Sequence, residues 1–225
     1  MHLLTPNTLT LGTYSGFAPI AWQHEGRACG WDISFLQHFA DQHGLRLEAK
    51  FYPFAELWER VSQGAVDVAA SGITYMPSRE RNGVVWSDSY FTVQRCLVIR
   101  AADHAKYASI ADFAEQTIEV TPGSAADIDA LQRKPASTRL SHCHNLNDAV
   151  QRLLAGEIAA FGTGDFSGYD YVRRFPGQLA VIDVHEMAGP EYFAFPTRQA
   201  SGIVEALNAF IHAHRHEYEG NLQPT

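Results

Sequence analysis

The stretch Asp67-Val68-Ala69-Ala70-Ser71-Gly72-Ile73-Thr74-Tyr75-Met76-Pro77-Ser78-Arg79 decides how the rest of the chain is read. With Ala65 and Val66 its first half is a compact apolar run, as in strands buried on both faces of a parallel sheet. The run ends at Ser71, a short loop exposes Gly72 and the Thr74 hydroxyl, and Pro77 suits the first turn of a helix. In an open α/β sheet the crevice at the carboxyl ends of the strands is where ligands bind. A helix N-terminus there favours an anion, and the fork of Arg79 adds two-pronged geometry for a carboxylate. An arginine at that end of a helix runs against the macrodipole, which prefers acids, unless it faces a bound carboxylate. The bland alternative makes Arg79-Glu80-Arg81 a solvated turn, with Ser71 and Thr74 as cap and turn residues. The surrounding pattern favours a site.

Outward from this stretch, hydrophobic periodicity alternates between 2 and 3.6. Leu9 to Thr13 and Leu45 to Phe51 read as strands. Between them Ile33, Leu36, Phe39 and Ala40 recur at helical spacing, with Asp32 as N-cap and Gly44 as stop. A short helix spans 55–63, closed by Gly64. Beyond Arg79, strands are predicted over 94–100, 117–120, 158–161, 179–184 and 192–195. Helices are predicted over 125–132, after the Asn145 cap (Leu146, Val150, Leu153, Leu154), and around Ile203, Leu207, Phe210 and Ile211. Strands alternating with helices make this an α/β chain with mainly parallel sheets. No flexible linker separates two halves, so two lobes would be joined by strand-like crossings, near Tyr90 to Gln94 and Met187 to Tyr192.

Composition bounds the function. At 225 residues, 46% hydrophobic and 19% charged, the chain buries a sizeable core and is not disordered. A net charge of −8 without a basic stripe argues against nucleic acid. No apolar run approaches the ~18 residues of a membrane helix. Cys29, Cys96 and Cys143 allow at most one bridge and form no C-x-x-C. The start, Met1 to Pro6, lacks the basic and apolar regions of a secretory signal. The expectation is either a cytosolic protein or one whose processed segment is replaced by a start Met.

Several motifs recur in order: Gly12-Thr13 with Phe17-Ala18-Pro19, Gly30-Trp31-Asp32-Ile33, the run from Asp67 to Arg79, Trp86-Ser87-Asp88-Ser89-Tyr90, Thr121-Pro122-Gly123-Ser124 and Gly156-Glu157-Ile158. As a set, over residues 8 to 215, they resemble the bacterial solute-binding proteins of the polar amino-acid type. The resemblance implies a type II periplasmic binding protein: two Rossmann-like lobes, 1–92 with 190–225 and 93–189, joined by two crossing strands, with a ligand cleft that closes by hinge motion. It implies a monomer that hands its ligand to an ABC transporter permease in the periplasm, without catalytic residues, cofactor or metal. Residue by residue, Arg79 would grip the ligand's α-carboxylate, helped by Ser71, the Gly72 backbone, Thr74 and Ser124. Phe17 and Phe54 would sandwich its side chain.

Two positions depart from that pattern. The Asp expected to meet the ligand's α-ammonium is Gly164 here, with Asp165 next to it. Asp165 either swings in or caps the helix beginning at Phe166. A second acidic position in the first loop is Tyr14. A site that keeps its carboxylate clamp but loses acidic partners suits a carboxylic acid lacking a well-bound amine, and the ligand class expected overall is an amino acid or a related acid. The Ser71-Gly72-Ile73-Thr74 and Thr121-Pro122-Gly123-Ser124 stretches are also similar to cyclohexadienyl dehydratases, lyases on the same scaffold acting on prephenate or arogenate. Their general acid falls where this chain has Phe166 and Ser167, so that reading needs Asp165 or Glu191 as substitute.

The histidines His142, His144, His212, His214 and His216 include ligand-capable pairs, but neither group shows a completing carboxylate, and no metal is assigned from sequence. Most aromatic residues fall on core periodicities. No nucleophile elbow, P-loop or dinucleotide fingerprint is present.

Overall fold

Strand β1 (Thr8–Thr13) is buried at every residue, and the first fold unit is assembled around it. In this computed structural model, which describes residues 1–183 and 190–222, β1 leads into a small antiparallel sheet of β2 (Gly16–Phe17), β3 (Ala21–His24) and β4 (Arg27–Cys29). Helix α1 (Trp31–Gln42), β5 (Arg46–Phe51), α2 (Leu57–Ser62), β6 (Val68–Ala70), β7 (Val84–Trp86) and β8 (Phe91–Val93) follow. The middle of the chain gives β9 (Arg95–Arg100), β10 (Thr117–Val120), α3 (Ala125–Arg133), β11 (Arg139–His142), α4 (Leu146–Leu154), β12 (Ala160–Gly164), α5 (Asp165–Arg174) and β13 (Leu179–Asp183). It closes with β14 (Glu191–Phe193), β15 (Pro196–Arg198) and α6 (Val204–Leu222).

These elements fall into two units, Met1–Thr92 with residues from 191 onward, and Val93–Pro190. The first holds a five-stranded sheet in the order β5-β1-β6-β15-β7. β5 and β6 run parallel to β1 on its two sides, with Leu9 opposite Leu47 and Leu11 opposite Val68, while β15 is antiparallel to its neighbours. The second holds β11-β10-β12-β9-β13, with β10, β11 and β12 parallel and β9 antiparallel to both β12 and β13. Each sheet therefore mixes a parallel trio with antiparallel strands, where the sequence pattern suggested mainly parallel pairing.

Each unit has its own apolar core. In the first, Leu57, Trp58 and Val61 of α2 pack with Val66, Ala69 and Ile73; in the second, Ile118 and Val120 of β10 pack with Phe113, Ile110, Ala126 and Ala160. Each of the Val, Leu, Ile and Phe side chains among these contributes about 1.5–3 kcal/mol by leaving water.

Four sequence expectations are corrected. The helix expected from Pro77 is one 3-10 turn, Pro77–Arg79, because Gly83 turns the chain at φ 74° and β7 starts at once. The macrodipole argument for Arg79 lapses with it. Asp32 does not cap α1; Gly30 precedes the helix at φ 124°, where a Cβ would lie 2.2 Å from the Ile20 carbonyl oxygen. The strand expected at 158–161 runs instead from Ala160 to Gly164. Gly162 and Gly164 break its apolar pattern, yet Gly162 is what lets Ala126 and Val120 approach to 3.3 and 3.2 Å of where its Cβ would be. The crossing expected near Met187 to Tyr192 and the end of the 179–184 strand lie partly outside the described residues.

Candidate carboxylate site

In the first unit the chain leaves β1 toward β5 on one side and reaches β6 on the other, so the loops after β1 and β6 part at their carboxyl ends. This switch point is where open α/β sheets form a crevice. The loop after β1 carries Tyr14 and Phe17; the loop after β6 carries Ser71, Gly72 and Thr74.

Arg79 closes this cluster. It is only 2% exposed, among the largest fully enclosed side chains. Its Nη1 donates to the Thr74 carbonyl at 2.6 Å. Its guanidinium carbon lies 4.7 Å from the ring centre of Trp58 and 5.6 Å from that of Phe54. Phe54 opens the 3-10 turn Phe54–Glu56 that leads into α2, and its ring meets that of Trp58 edge-on at 6.1 Å. Phe54 in turn meets Tyr14 edge-on at 6.0 Å. The guanidinium carbon lies over both rings, whose planes stand at 80° to one another, so cation–π contact holds Arg79 in this corner, and its planar fork is the donor group that matches a carboxylate. Arg79 is thus a core residue of this corner and not the solvated turn of the bland reading.

The residues around it are tightly committed. Ser71 is fully buried at φ 152°, a strained conformation for a residue with a side chain. Its Oγ accepts from Tyr14 N at 2.8 Å and lies 3.1 Å from Thr13 Oγ1. Gly72, at φ 61°, donates its N–H to Asp32 Oδ2 at 2.8 Å, and the Tyr90 hydroxyl donates to the same carboxylate at 2.9 Å. Thr74 Oγ1 donates to Glu191 Oε2 at 2.8 Å. Sequence reasoning missed Asp32, Tyr90 and Trp58 as members of this corner, and named Glu191 only as a substitute acid for the lyase reading. Asp32 and Tyr90 lay inside quoted motifs, and the i, i+4 spacing of Phe54 and Trp58 was readable. Phe17 is half-buried against the cluster, and its Cε1 lies 2.9 Å from where a Cβ on Gly72 would stand.

The second unit repeats the arrangement, with β11 and β12 on opposite sides of β10. Ser124, after β10, caps α3 by accepting from Asp127 N at 3.1 Å, while Gly123 N donates to Asp127 Oδ2 at 2.9 Å. Asp165 accepts from Phe166 N at 2.8 Å and from Gln94 N at 3.2 Å; it is the first residue of α5, with Gly164 at the N-cap, so the helix starts one residue earlier than expected and Asp165 does not cap it. Gly164 pairs with Arg95 in the sheet, and a Cβ there would stand 2.4 Å from Val93 Cγ2. An aspartate at 164 is therefore excluded unless Val93 moves. The structure thus brings Tyr14, Phe17, Phe54, Ser71, Gly72, Thr74 and Arg79 together in one unit and places Ser124 and Asp165 at the matching strand ends of the other.

Among the described residues no three of His, Cys, Asp and Glu converge as metal ligands. His142 Nε2 lies 3.2 Å from Asp127 Oδ1. Cys29, Cys96 and Cys143 form no disulfide with one another. Among the described residues no helix is long and apolar enough to cross a membrane.

The model of the bacterial extracellular solute-binding proteins, family 3, matches residues 9–220. The arginine-binding extracellular protein ArtP of Bacillus subtilis is 23% identical over 166 residues, 73% of this chain and 64% of ArtP. The chain spans less than half of two further curated relatives, the membrane-bound lytic murein transglycosylases F of Alteromonas mediterranea (25% identical over 91% of this chain, 46% of the relative) and Shewanella pealeana (26% over 93%, and 44%). Among solved structures, an ancestral arginine-binding protein bound to arginine superposes with a TM-score of 0.84 at 22% identity, covering 97% of this chain and 99% of its own. The ancestral amino acid-binding protein AncCDT-1, a precursor of cyclohexadienyl dehydratase, superposes with a TM-score of 0.83 at 20% identity, covering 96% and 95%.

Proposed function

Because the chain belongs to the bacterial extracellular solute-binding proteins, family 3, we propose that it binds a small carboxylate-bearing solute, an amino acid or a related acid, for delivery to an ABC importer outside the cytoplasm. One observation carries the reading: the buried Arg79, lying over the rings of Trp58 and Phe54 in the segment that follows β6. Arg79 grips the carboxylate in plane, Phe54 and Phe17 supply apolar walls, and the strained Ser71–Gly72 turn holds the loop in place. Ser124 and Asp165 are secondary candidates: the Ser124 side chain already caps α3, and the Asp165 carboxylate already accepts from Phe166 N and Gln94 N.

The relatives named for arginine or amino-acid binding support the ligand class. A thermal-shift screen over amino acids, including arginine and glutamine, and their keto and hydroxy analogues tests it, since a ligand at 100 times its Kd adds about 2.7 kcal/mol to stability. At least one carboxylate should raise Tm by several degrees in the native chain and by less than one degree in Arg79→Ala. An equal rise in both would overturn the clamp.

The lyase reading has one observation in its favour, the Glu191 carboxylate bonded to Thr74 beside the same loop. Against it, the positions of the dehydratase acid hold Phe166 and a fully buried Ser167. Incubation with prephenate and arogenate should yield neither phenylpyruvate nor phenylalanine; either product would restore it.

A further inference from the structure

The histidine-rich end of α6 divides in space. His212 Nε2 lies 2.8 Å from Asp88 Oδ2. His214 turns instead toward His38 of α1, their ring centres 4.7 Å apart at 66°. Both rings pack on Phe210, at 5.1 Å for His38 and 4.4 Å for His214, so packing sets their orientation. Both Nε2 atoms address one point: the amide nitrogen of Gln42 lies 3.1 Å from His38 Nε2 and 3.2 Å from His214 Nε2. An amide nitrogen only donates, so each imidazole presents an Nε2 lone pair there.

We propose that His38 and His214 form a labile divalent-metal site that takes zinc, nickel or copper and staples α6 to α1. Two neutral imidazoles aimed at one point are the donor set these borderline cations prefer, and one that magnesium and calcium do not use. A metal at the position now held by the amide nitrogen displaces the Gln42 side chain, and each Nε2 moves in by about 1 Å to make a metal–nitrogen bond of about 2.0–2.1 Å. Water, or the Oε1 of the displaced Gln42, completes the shell. No electron or proton transfer is involved; the cation replaces two hydrogen bonds. The sequence hid this pair because its partners stand on different helices, whereas the i, i+4 spacing pointed to His212 and His216.

Calorimetric titration of the full chain with zinc chloride should show one equivalent bound, with no heat from magnesium or calcium. His38→Ala and His214→Ala should each weaken zinc at least tenfold, whereas His212→Ala and His216→Ala should change it less than twofold. Copper added to the unaltered protein should give an electron paramagnetic resonance spectrum split by two imidazole nitrogens, a readout that survives any misfolding of the variants. No zinc heat, loss of binding in His212→Ala or His216→Ala with retention in His38→Ala, or a copper spectrum without two nitrogens would each overturn the site.

Discussion

Gly72 is where the least chemistry does the most positioning. At φ 61° it turns the chain between β6 and Thr74, and a Cβ there would approach Ile20 Cδ1 and Phe17 Cε1 to 2.9 Å and Phe193 Cε2 to 3.0 Å. Gly72→Ala should therefore cost about 1–2 kcal/mol, because it adds left-handed strain and displaces the apolar wall. Chemical unfolding should show the loss, and the ligand response should shrink; unaltered stability would mean that the turn is not held as described. The value of Arg79 was readable in sequence through its place after a buried strand. The reason was not: the expected helix dipole is absent, and the ring faces of Trp58 and Phe54 hold the guanidinium instead.

Between elements, Asp67 does what a glance at an apolar run conceals. Wholly buried at the start of β6, its carboxylate accepts from Thr10 N and Oγ1 on β1, from Leu4 N, and from Arg198 Nη2 on β15 at 2.9 Å. Three segments distant in sequence are tied to one side chain. Asp67→Asn removes the charge that balances the largely enclosed Arg198 and should cost about 3 kcal/mol, read as a lower urea midpoint with an unchanged slope. A loss below about 1 kcal/mol would show the pair to be replaceable. The long periodic helices and the parallel trio of β5, β1 and β6 were legible because burial imposes spacing on the sequence. The short β2, β3, β4, β7 and β11 were not, since two to four residues carry too little alternation to separate from loop. The corner that Asp32, Gly72 and Tyr90 share was equally hidden, because its members are 58 residues apart at the extreme.

For the molecule as a whole, each unit places its candidate residues at the same topological position, and a buried acid sets one pH dependence. Glu119 of β10 is enclosed in the second unit, and burial pushes its carboxyl above the ordinary value. Arg152 of α4 opposes this through a direct ion pair, while Glu157 and Asp148 add to it; burial, with Glu119 adding to it, raises the Cys143 thiol to about 11. Since the folded state resists ionisation, stability falls as pH rises from the unfolded value, about 4.3, through the raised folded one. Glu119→Gln lacks this loss, so its stability relative to the native chain should increase between pH 4 and pH 7 in urea unfolding. A difference that is flat with pH would contradict the assignment. The central claim remains the in-plane grip of a carboxylate by Arg79. Its most direct test is calorimetric titration of the native chain with the tightest-binding amino acid of the screen and with the amide of that same amino acid. The account predicts at least a hundredfold weaker binding of the amide, and a difference that collapses below tenfold in Arg79→Ala; equal affinities in the native chain would contradict it.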